Sequence, residues 1–275
     1  MLQSKGIVPN LIGGLGNQLF ILAAAFAVQA EQGCPLYLFD NPVANNKHNR
    51  LGRDYKASIF REIGTHISRP FAEAQSDLVD YVRVNPGSPF HPWNPKSVQP
   101  GTVMNSYFQY YPAIQAVLPE FGQRLLAGLG EFTKALPAIA SDTTAFIHIR
   151  RGDYLENPHI HYIQIPAYYR LAMDHLFAKR ADLTKLYIIS DDIAWAKEQS
   201  VFKHPAAEFW ESDDELLTFA LMAQCKGGAI CANSTYSWWG AALGAHQASN
   251  PIVVPKRWIS DPVYDLFPES WIRFG

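Results

Sequence analysis

The sequence predicts an α/β protein whose second half is a parallel sheet covered by helices on both faces. Three observations carry this reading. Strand-length apolar runs alternate with helix-length segments from Ala145 to the end of the chain, the pattern of a parallel sheet covered on both faces. The run Ala145–Ile149 (AFIHI) is β-branched and aromatic and is soon broken by Gly152, as a buried strand should be. Near the N-terminus an apolar run, a glycine-rich turn and an apolar helical stretch form one more strand–turn–helix unit.

In chain order, residues 7–12 read as the first strand and GGLGNQ (Gly13–Gln18) as the turn after it. From Asn17 the residues are good helix formers, apolar on nearly all sides and stopped by Gly33, so a buried helix is expected. Leu36–Phe39 is the next strand, ended by Asp40, and 41–53 is a polar loop. The stretch 84–111 is rich in proline and aromatics, which forbids a long helix; its strand-like core is 101–107. Trp93, Tyr107, Phe108, Tyr110 and Tyr111 pack the core or offer a platform for the apolar face of a sugar. Residues 118–140 are helical with breaks at Pro119 and Pro137. The regular part then comprises strand 145–149, helix 166–179, strand 185–189, helices 192–199 and 213–225, strand 229–232, helix 235–245 and strand 252–254. No repeat or low-complexity segment interrupts it.

At 275 residues the chain exceeds the usual size of a single core, which allows one large domain or two smaller ones. Lys and Arg total 23 against 25 Asp and Glu, so no nucleic-acid footprint is present and any anion must be handled locally. Cys34, Cys225 and Cys231 are an odd number without CxxC spacing, which points to reduced, buried thiols in a cytosolic compartment. No apolar run reaches the ~18 residues of a membrane span, and the polar start does not read as a secretory signal.

Three strand ends carry the chemistry. The first is Arg150 and Arg151, with Asp153 three residues after Arg150. Side chains alternate along a strand, so His148 and Arg150 share a face and Arg151 opens the turn beyond the carboxyl end, where open α/β sheets bind ligands. Adjacent guanidiniums need anionic partners and Asp153 neutralises only one, which leaves a phosphate or a structural Arg–Asp network as the remainder. The embedded Arg-Gly-Asp follows a buried strand, so an adhesion role is set aside. The second is Ser190, Asp191 and Asp192 after a buried strand: one aspartate is an N-cap and the other suits the two donors of a guanine edge. Paired aspartates also resemble a metal site, but adjacent residues at a helix start diverge. The third is Asn233, Ser234 and Thr235 at a helix start, where hydroxyls, free amides and the positive dipole end favour phosphate. Trp238 and Trp239 beyond it read as packing.

Gly14-x-Gly16 between strand and helix, with Asp40 about 20 residues later, imitates a dinucleotide fingerprint, but Leu19 stands where its third glycine belongs. No Gly-Lys-Ser/Thr follows, so a nucleoside triphosphatase loop is excluded.

The set GGLGNQLF, HIRRGDY, ISDD and ANSTYSWWGAAL, in this order, closely resembles the bacterial α-1,2-fucosyltransferases of glycosyltransferase family eleven, over about Gly13–Leu243. The resemblance implies a GT-B-like architecture: two Rossmann-like lobes with a cleft between them, 1–135 on the acceptor side and 136–275 binding the donor. It implies an inverting transfer of fucose from GDP-fucose to the 2-hydroxyl of a terminal β-galactoside, with GDP-fucose as co-substrate, no cofactor and no metal. Carried over by position, Arg150 and Arg151 hold the pyrophosphate, His148 and Asp192 contact guanine, and Ser234 and Thr235 bind phosphate oxygens. Gly14, Gly16 and Asn17 line the cleft. The candidates for the base are Asp153, Glu156 and His161. Other expectations are a galactose-terminated glycan as acceptor, no nucleic acid or membrane span, and a cytoplasmic protein or one peripheral to the inner membrane. The Ile-Leu after GGLGNQLF departs from the family's common Gln-Tyr. Outside this reading stand another GDP-sugar or linkage, and a non-catalytic sugar-nucleotide or glycan-binding module.

Overall fold

In the computed structural model, which describes residues 4–40, 49–259 and 265–274, contacts divide the chain into two units. One runs to Glu131 and is joined by a short segment ending at Phe267; the other begins at Phe132 and resumes at Pro268.

In the first unit β1 (Ile7–Pro9) leads into α1 (Leu15–Gln32), whose N-cap is Gly14. The helix starts at Leu15 rather than Asn17, so Gly16 lies in its first turn and not in the loop. Leu15 is drawn in by burial at 1% exposure, and the Gln18 side chain ties the turn by donating to the Gly13 carbonyl at 2.8 Å. Gly13 itself has φ 76°, a conformation that favours glycine. Gly33 ends α1 in the left-handed conformation, its amide bonded to the Gln29 carbonyl. β2 (Tyr37–Asp40) pairs in parallel with β3 (Thr65–Pro70). β4 (Val82–Val84) and β5 (Thr102–Met104) join β1 in the order β1-β5-β4, also parallel. β3 and β4 were not legible because most of their side chains are exposed or half-exposed, which erases the apolar signal. Most of the expected 41–53 loop, 41–48, lies outside the described residues. Asp40 pairs with Lys56, whose ammonium also donates to the Ile67 carbonyl, so the acid of the apparent dinucleotide fingerprint has a structural partner. Trp93 meets the buried Phe108 edge-on at 5.3 Å, as core packing predicts.

α2 (Tyr111–Ile114), α3 (Leu118–Gly128) and α4 (Gly130–Ala135) follow. Pro119 lies in the first turn of α3, where its missing N–H costs nothing, so it starts the helix instead of breaking it.

The second unit alternates as expected: β6 (Thr144–Ile149), α5 (Gly152–Glu156), α6 (Pro166–Lys179), β7 (Lys185–Ser190), α7 (Ile193–Glu198), β8 (Ala207–Trp210), α8 (Glu215–Gln224), β9 (Gly228–Ile230), α9 (Thr235–Leu243), β10 (Ile252–Pro255) and β11 (Ile272–Phe274). These strands form one six-stranded sheet in the order β11-β10-β9-β6-β7-β8, and every pairing is parallel. β8 and β11 escaped the sequence reading because they are short, half-exposed edge strands. Ala145, Ile147 and Ile149 pack with Tyr168, Tyr169, Ala172 and Leu176 of α6. On the opposite face His148 meets Tyr236 of α9 at 5.8 Å, and Tyr236 meets Phe219 of α8 at 5.5 Å. Helices therefore cover both faces, and each fully buried Leu, Ile or Phe contributes about 1.5–3 kcal/mol.

The strand order positions the chemistry. From β6 the chain steps outward to β7 and β8, then returns to the other side of β6 as β9 and continues to β10 and β11. The direction reverses between β6 and β9, and the carboxyl edge at such a switch point is where open α/β sheets take ligands.

Candidate active site at the carboxyl edge of the six-stranded sheet

β9, β6 and β7 are adjacent, so NST, RRGD and SDD emerge side by side, as parallel strands require. Each of the three strand ends singled out in the sequence lies on this edge.

Both arginines are engaged within the protein. The Arg150 guanidinium meets Asp153 at 2.5 Å and Asp191 at 2.8 Å. Arg151 donates through Nε to Asp192 at 3.0 Å, and its guanidinium lies 3.9 Å from the centroid of the Trp195 ring, a cation–π arrangement. Asp191 binds both neighbours, since its second oxygen accepts the Arg151 amide at 2.8 Å. Three carboxylates thus surround two guanidiniums. Of the two partners open to the second arginine, a phosphate or a structural Arg–Asp network, the network is present, because Asp191 and Asp192 arrive from the next strand. What remains for a ligand is the end of Arg151, whose Nη1 and Nη2 have no hydrogen-bond partner among the described residues. Its side chain is 15% exposed.

Gly152 is explained by the same network. A Cβ there would stand 2.8 Å from Oδ2 of Asp191, closer than packed atoms approach.

Asp192 is the N-cap of α7, accepting the Trp195 amide through Oδ1 while Oδ2 accepts from Arg151. Neither aspartate is left as the uncommitted base reader the sequence suggested, although each carboxylate oxygen has a second lone pair. His148 is 5% exposed and packed against Tyr236.

At the third strand end, Ser237 is wholly buried and its hydroxyl donates to the Ser234 carbonyl at 3.1 Å, so it is structural. Ser234 is the N-cap of α9, yet its side chain makes no capping bond. That places the Ser234 hydroxyl at the positive end of α9, a setting that favours an anion. Thr235 opens the helix. Trp238 and Trp239 are fully buried and 5.0 Å apart, as packing predicts.

The base candidates differ in setting. Asp153 is held by Arg150. Glu156 is exposed at the end of α5. His161 stacks on Tyr154, ring centroids 4.0 Å apart and planes within 6°. Burial pushes the His161 imidazole below the ordinary histidine range, with nearby Asp153 opposing and Arg150 adding to the shift. The Tyr154 hydroxyl donates to the Asn233 carbonyl at 2.8 Å. Burial pushes its pKa up to about 12, so it is a donor at neutral pH. The sequence places Asn233 at the third strand end without assigning its side chain a role, and it gives Tyr154 and Trp195 none; of these, only the tyrosine directly after the RRGD could have been suspected.

Gly14, Gly16 and Asn17 belong to the first unit. A Cβ on Gly14 would meet open space. Gly16 is buried in the first turn of α1, and Asn17 accepts a bond from Gln109 at 3.0 Å. No helix among the described residues is long and apolar enough to cross a membrane.

Known proteins are similar to this chain in sequence and in fold. The O-antigen biosynthesis glycosyltransferase WbnK of Escherichia coli is 29% identical over 303 residues, covering 96% of this chain and 98% of its own. An alpha-1,2-colitosyltransferase of Escherichia coli is 32% identical over 136 residues, 46% of each chain. Among solved structures, fucosyltransferase NodZ from Bradyrhizobium shares the fold with a TM-score of 0.50 at 12% identity, over 88% of this chain and 94% of that one. NodZ alpha-1,6-fucosyltransferase soaked with GDP-fucose gives the same TM-score over 87% and 93%. The fold is thus α/β and GT-B-like. The sequence profile of Glycosyl transferase family 11 matches residues 105–272, more than half of the chain and all three strand ends of the six-stranded sheet, and the chain belongs to that family.

Proposed function

We propose that this glycosyltransferase moves fucose from GDP-fucose to the 2-hydroxyl of a terminal β-galactoside, with inversion at the anomeric carbon and with the sugar nucleotide as its only small-molecule partner besides the acceptor. The observation that carries the reading is the switch point itself: the Arg151 guanidinium end and the uncapped start of α9 flank the β6–β9 boundary, in a chain of this family.

In the proposed step the acceptor oxygen attacks the anomeric carbon opposite the phosphate. The carbon–phosphate oxygen bond breaks with its electron pair, and GDP departs with new negative charge. Guanidinium and helix-start N–H groups fixed at that position stabilise the transition state more than the ground state. Arg151 supplies the fork, and Ser234 and Thr235 the helix-start groups. Arg150 sets the local field and anchors Asp153 and Asp191. His148 and Asp192 lie on the same edge, in reach of a base bound beside β6 and β7. The acceptor's proton goes to His161, the candidate that is both partly buried and held neutral at physiological pH.

The test is transfer from GDP-fucose to lactose, assayed with and without a chelator and followed by linkage determination. A product fucosylated at the galactose 2-hydroxyl is expected in both conditions. Turnover with no 2-linked product, or none at all, would sink the proposal. A second reading is favoured by the colitosyltransferase relative: the same linkage with colitose as the transferred sugar. Competition between GDP-fucose and a GDP-sugar carrying colitose separates the two.

A further inference from the structure

Asn233 and Tyr154 join three segments of the second unit at one point. Asn233 is 1% exposed, and its side-chain amide donates to the carbonyls of Tyr162 at 2.9 Å and Trp258 at 2.7 Å. Two carbonyl acceptors fix which end of the carboxamide carries the hydrogens. Its backbone carbonyl accepts the Tyr154 hydroxyl. Tyr162 belongs to the segment 157–165 that follows α5, and Trp258 to the segment after β10. The same two segments meet again through the bridge between His161 and Ile259, the Gln164 bond to the Arg257 carbonyl at 3.3 Å, and the Arg257 guanidinium 5.4 Å from the Tyr162 ring centroid.

Burial does not hold that segment in place. Ile160, Tyr162 and Ile165 are 41%, 37% and 63% exposed, so the stretch carrying His161 has little core of its own. Polar contacts to Asn233 and the flat stack on Tyr154 fix it instead. A buried carboxamide that satisfies two loop carbonyls specifies one arrangement of those loops, whereas an apolar residue there would add burial but no such direction.

We infer that Asn233 and Tyr154 are positioning residues for proton acceptance: together they hold His161 beside the Arg150–Asp153 pair, and they serve the acceptor half of the reaction rather than donor binding. The inference rests on the reading of His161 as base. In that step the acceptor O–H bond breaks, its proton passes to an imidazole nitrogen, and the oxygen's electron pair forms the bond to the anomeric carbon as the bond to phosphate opens.

The test compares Tyr154→Phe, Tyr154→Leu, Asn233→Ala and His161→Phe by GDP titration calorimetry and by kcat for transfer across pH. Tyr154→Phe keeps the stack and is expected to lose about threefold to tenfold in kcat. Tyr154→Leu and Asn233→Ala release the imidazole and are expected to lose on the order of 100-fold in kcat. In Tyr154→Leu, a solvated imidazole also moves the acid limb of kcat up toward pH ~6.5. GDP affinity stays within about twofold throughout, a margin small against a good hydrogen bond. Should Asn233→Ala fail to fold, the two Tyr154 variants decide alone. GDP affinity falling in step with kcat overturns the inference, as does near-normal turnover in Tyr154→Leu while His161→Phe is inactive. Full turnover in His161→Phe instead overturns the base reading on which the inference stands.

Discussion

Arg150 and Asp191 meet at 2.8 Å across adjacent parallel strands, and the other oxygen of the same carboxylate holds the Arg151 amide. One aspartate of the ISDD motif therefore sets the geometry of both arginines of the RRGD motif, and the two motifs are one structure. Gly152 is the tight point of this joint, and Gly152→Ala drives a methyl against the carboxylate. We expect the variant to remain folded with transfer reduced by about 10²-fold, since small misplacements of catalytic groups cost that much. Steady-state kinetics beside a thermal melt checks it; unchanged kcat/KM would show that the Asp191 link does not matter to turnover.

Arg151→Lys keeps the charge but loses the fork, the Trp195 stack and the bond geometry to Asp192. The expected loss in kcat/KM is about 10²–10³-fold with weaker GDP binding, in the range for a donor aimed at developing charge. Arg150→Ala is expected to abolish transfer as well, but it also strips a partner from Asp153 and Asp191, so it costs about 1–3 kcal/mol of stability by denaturant titration. Equal stability of both variants would contradict the division of labour between the arginines.

Proton acceptance is expected to track His161. Its pKa lies below the ordinary histidine value because burial disfavours the charged form. The neutral base then persists as pH falls through ~6.5, and kcat declines only further on the acid side. Glu156→Gln, altering an exposed side chain, is expected to change kcat by less than about threefold, against a loss of about 10²–10⁴-fold for a missing base. A kcat profile breaking at or above ~6.5 in the wild type would count against His161.

Stability carries the same sign. His161 and His246 both have native pKa values lowered by burial, so below the unfolded value, ~6.5, the unfolded chain binds more protons than the native one. Stability is unaffected above that value and falls as pH drops through and below it. Melts at pH 7.5 and 5.5 are expected to show the decrease, and His246→Phe, which retains a ring against Trp271, to shrink it.

The SWWG segment is packing. A Cβ on Gly240 would stand 2.7 Å from Met222 Cβ, at the contact between α8 and α9. Gly240→Ala is expected to cost about 1–3 kcal/mol through overpacking, while the KM for the sugar nucleotide in the surviving folded protein stays unchanged. A raised KM at full stability would instead make this segment part of the donor site.

By itself the sequence determined which segments become strands and helices wherever burial is strong: Pro166–Lys179 was legible to the residue, and the runs ending in Arg150, Ser190 and Asn233 declared themselves because a buried parallel strand must be continuously apolar and then stop. It also determined that charged, acidic and hydroxyl-bearing groups sit at strand ends. Tertiary structure decided how those groups use one another. Two of the three carboxylates that hold the arginines come from a strand some 40 residues away, an interval in which no local periodicity records who faces whom. The role of Tyr154 depends on a carbonyl in a third strand's loop, and in the edge strands β8 and β11 the inward pairs Ala207 and Phe209, and Ile272 and Phe274, are too short an alternation to declare a strand without the neighbours that they pair with. Composition and periodicity report burial; pairing between charges is set only when the strand order brings their ends together.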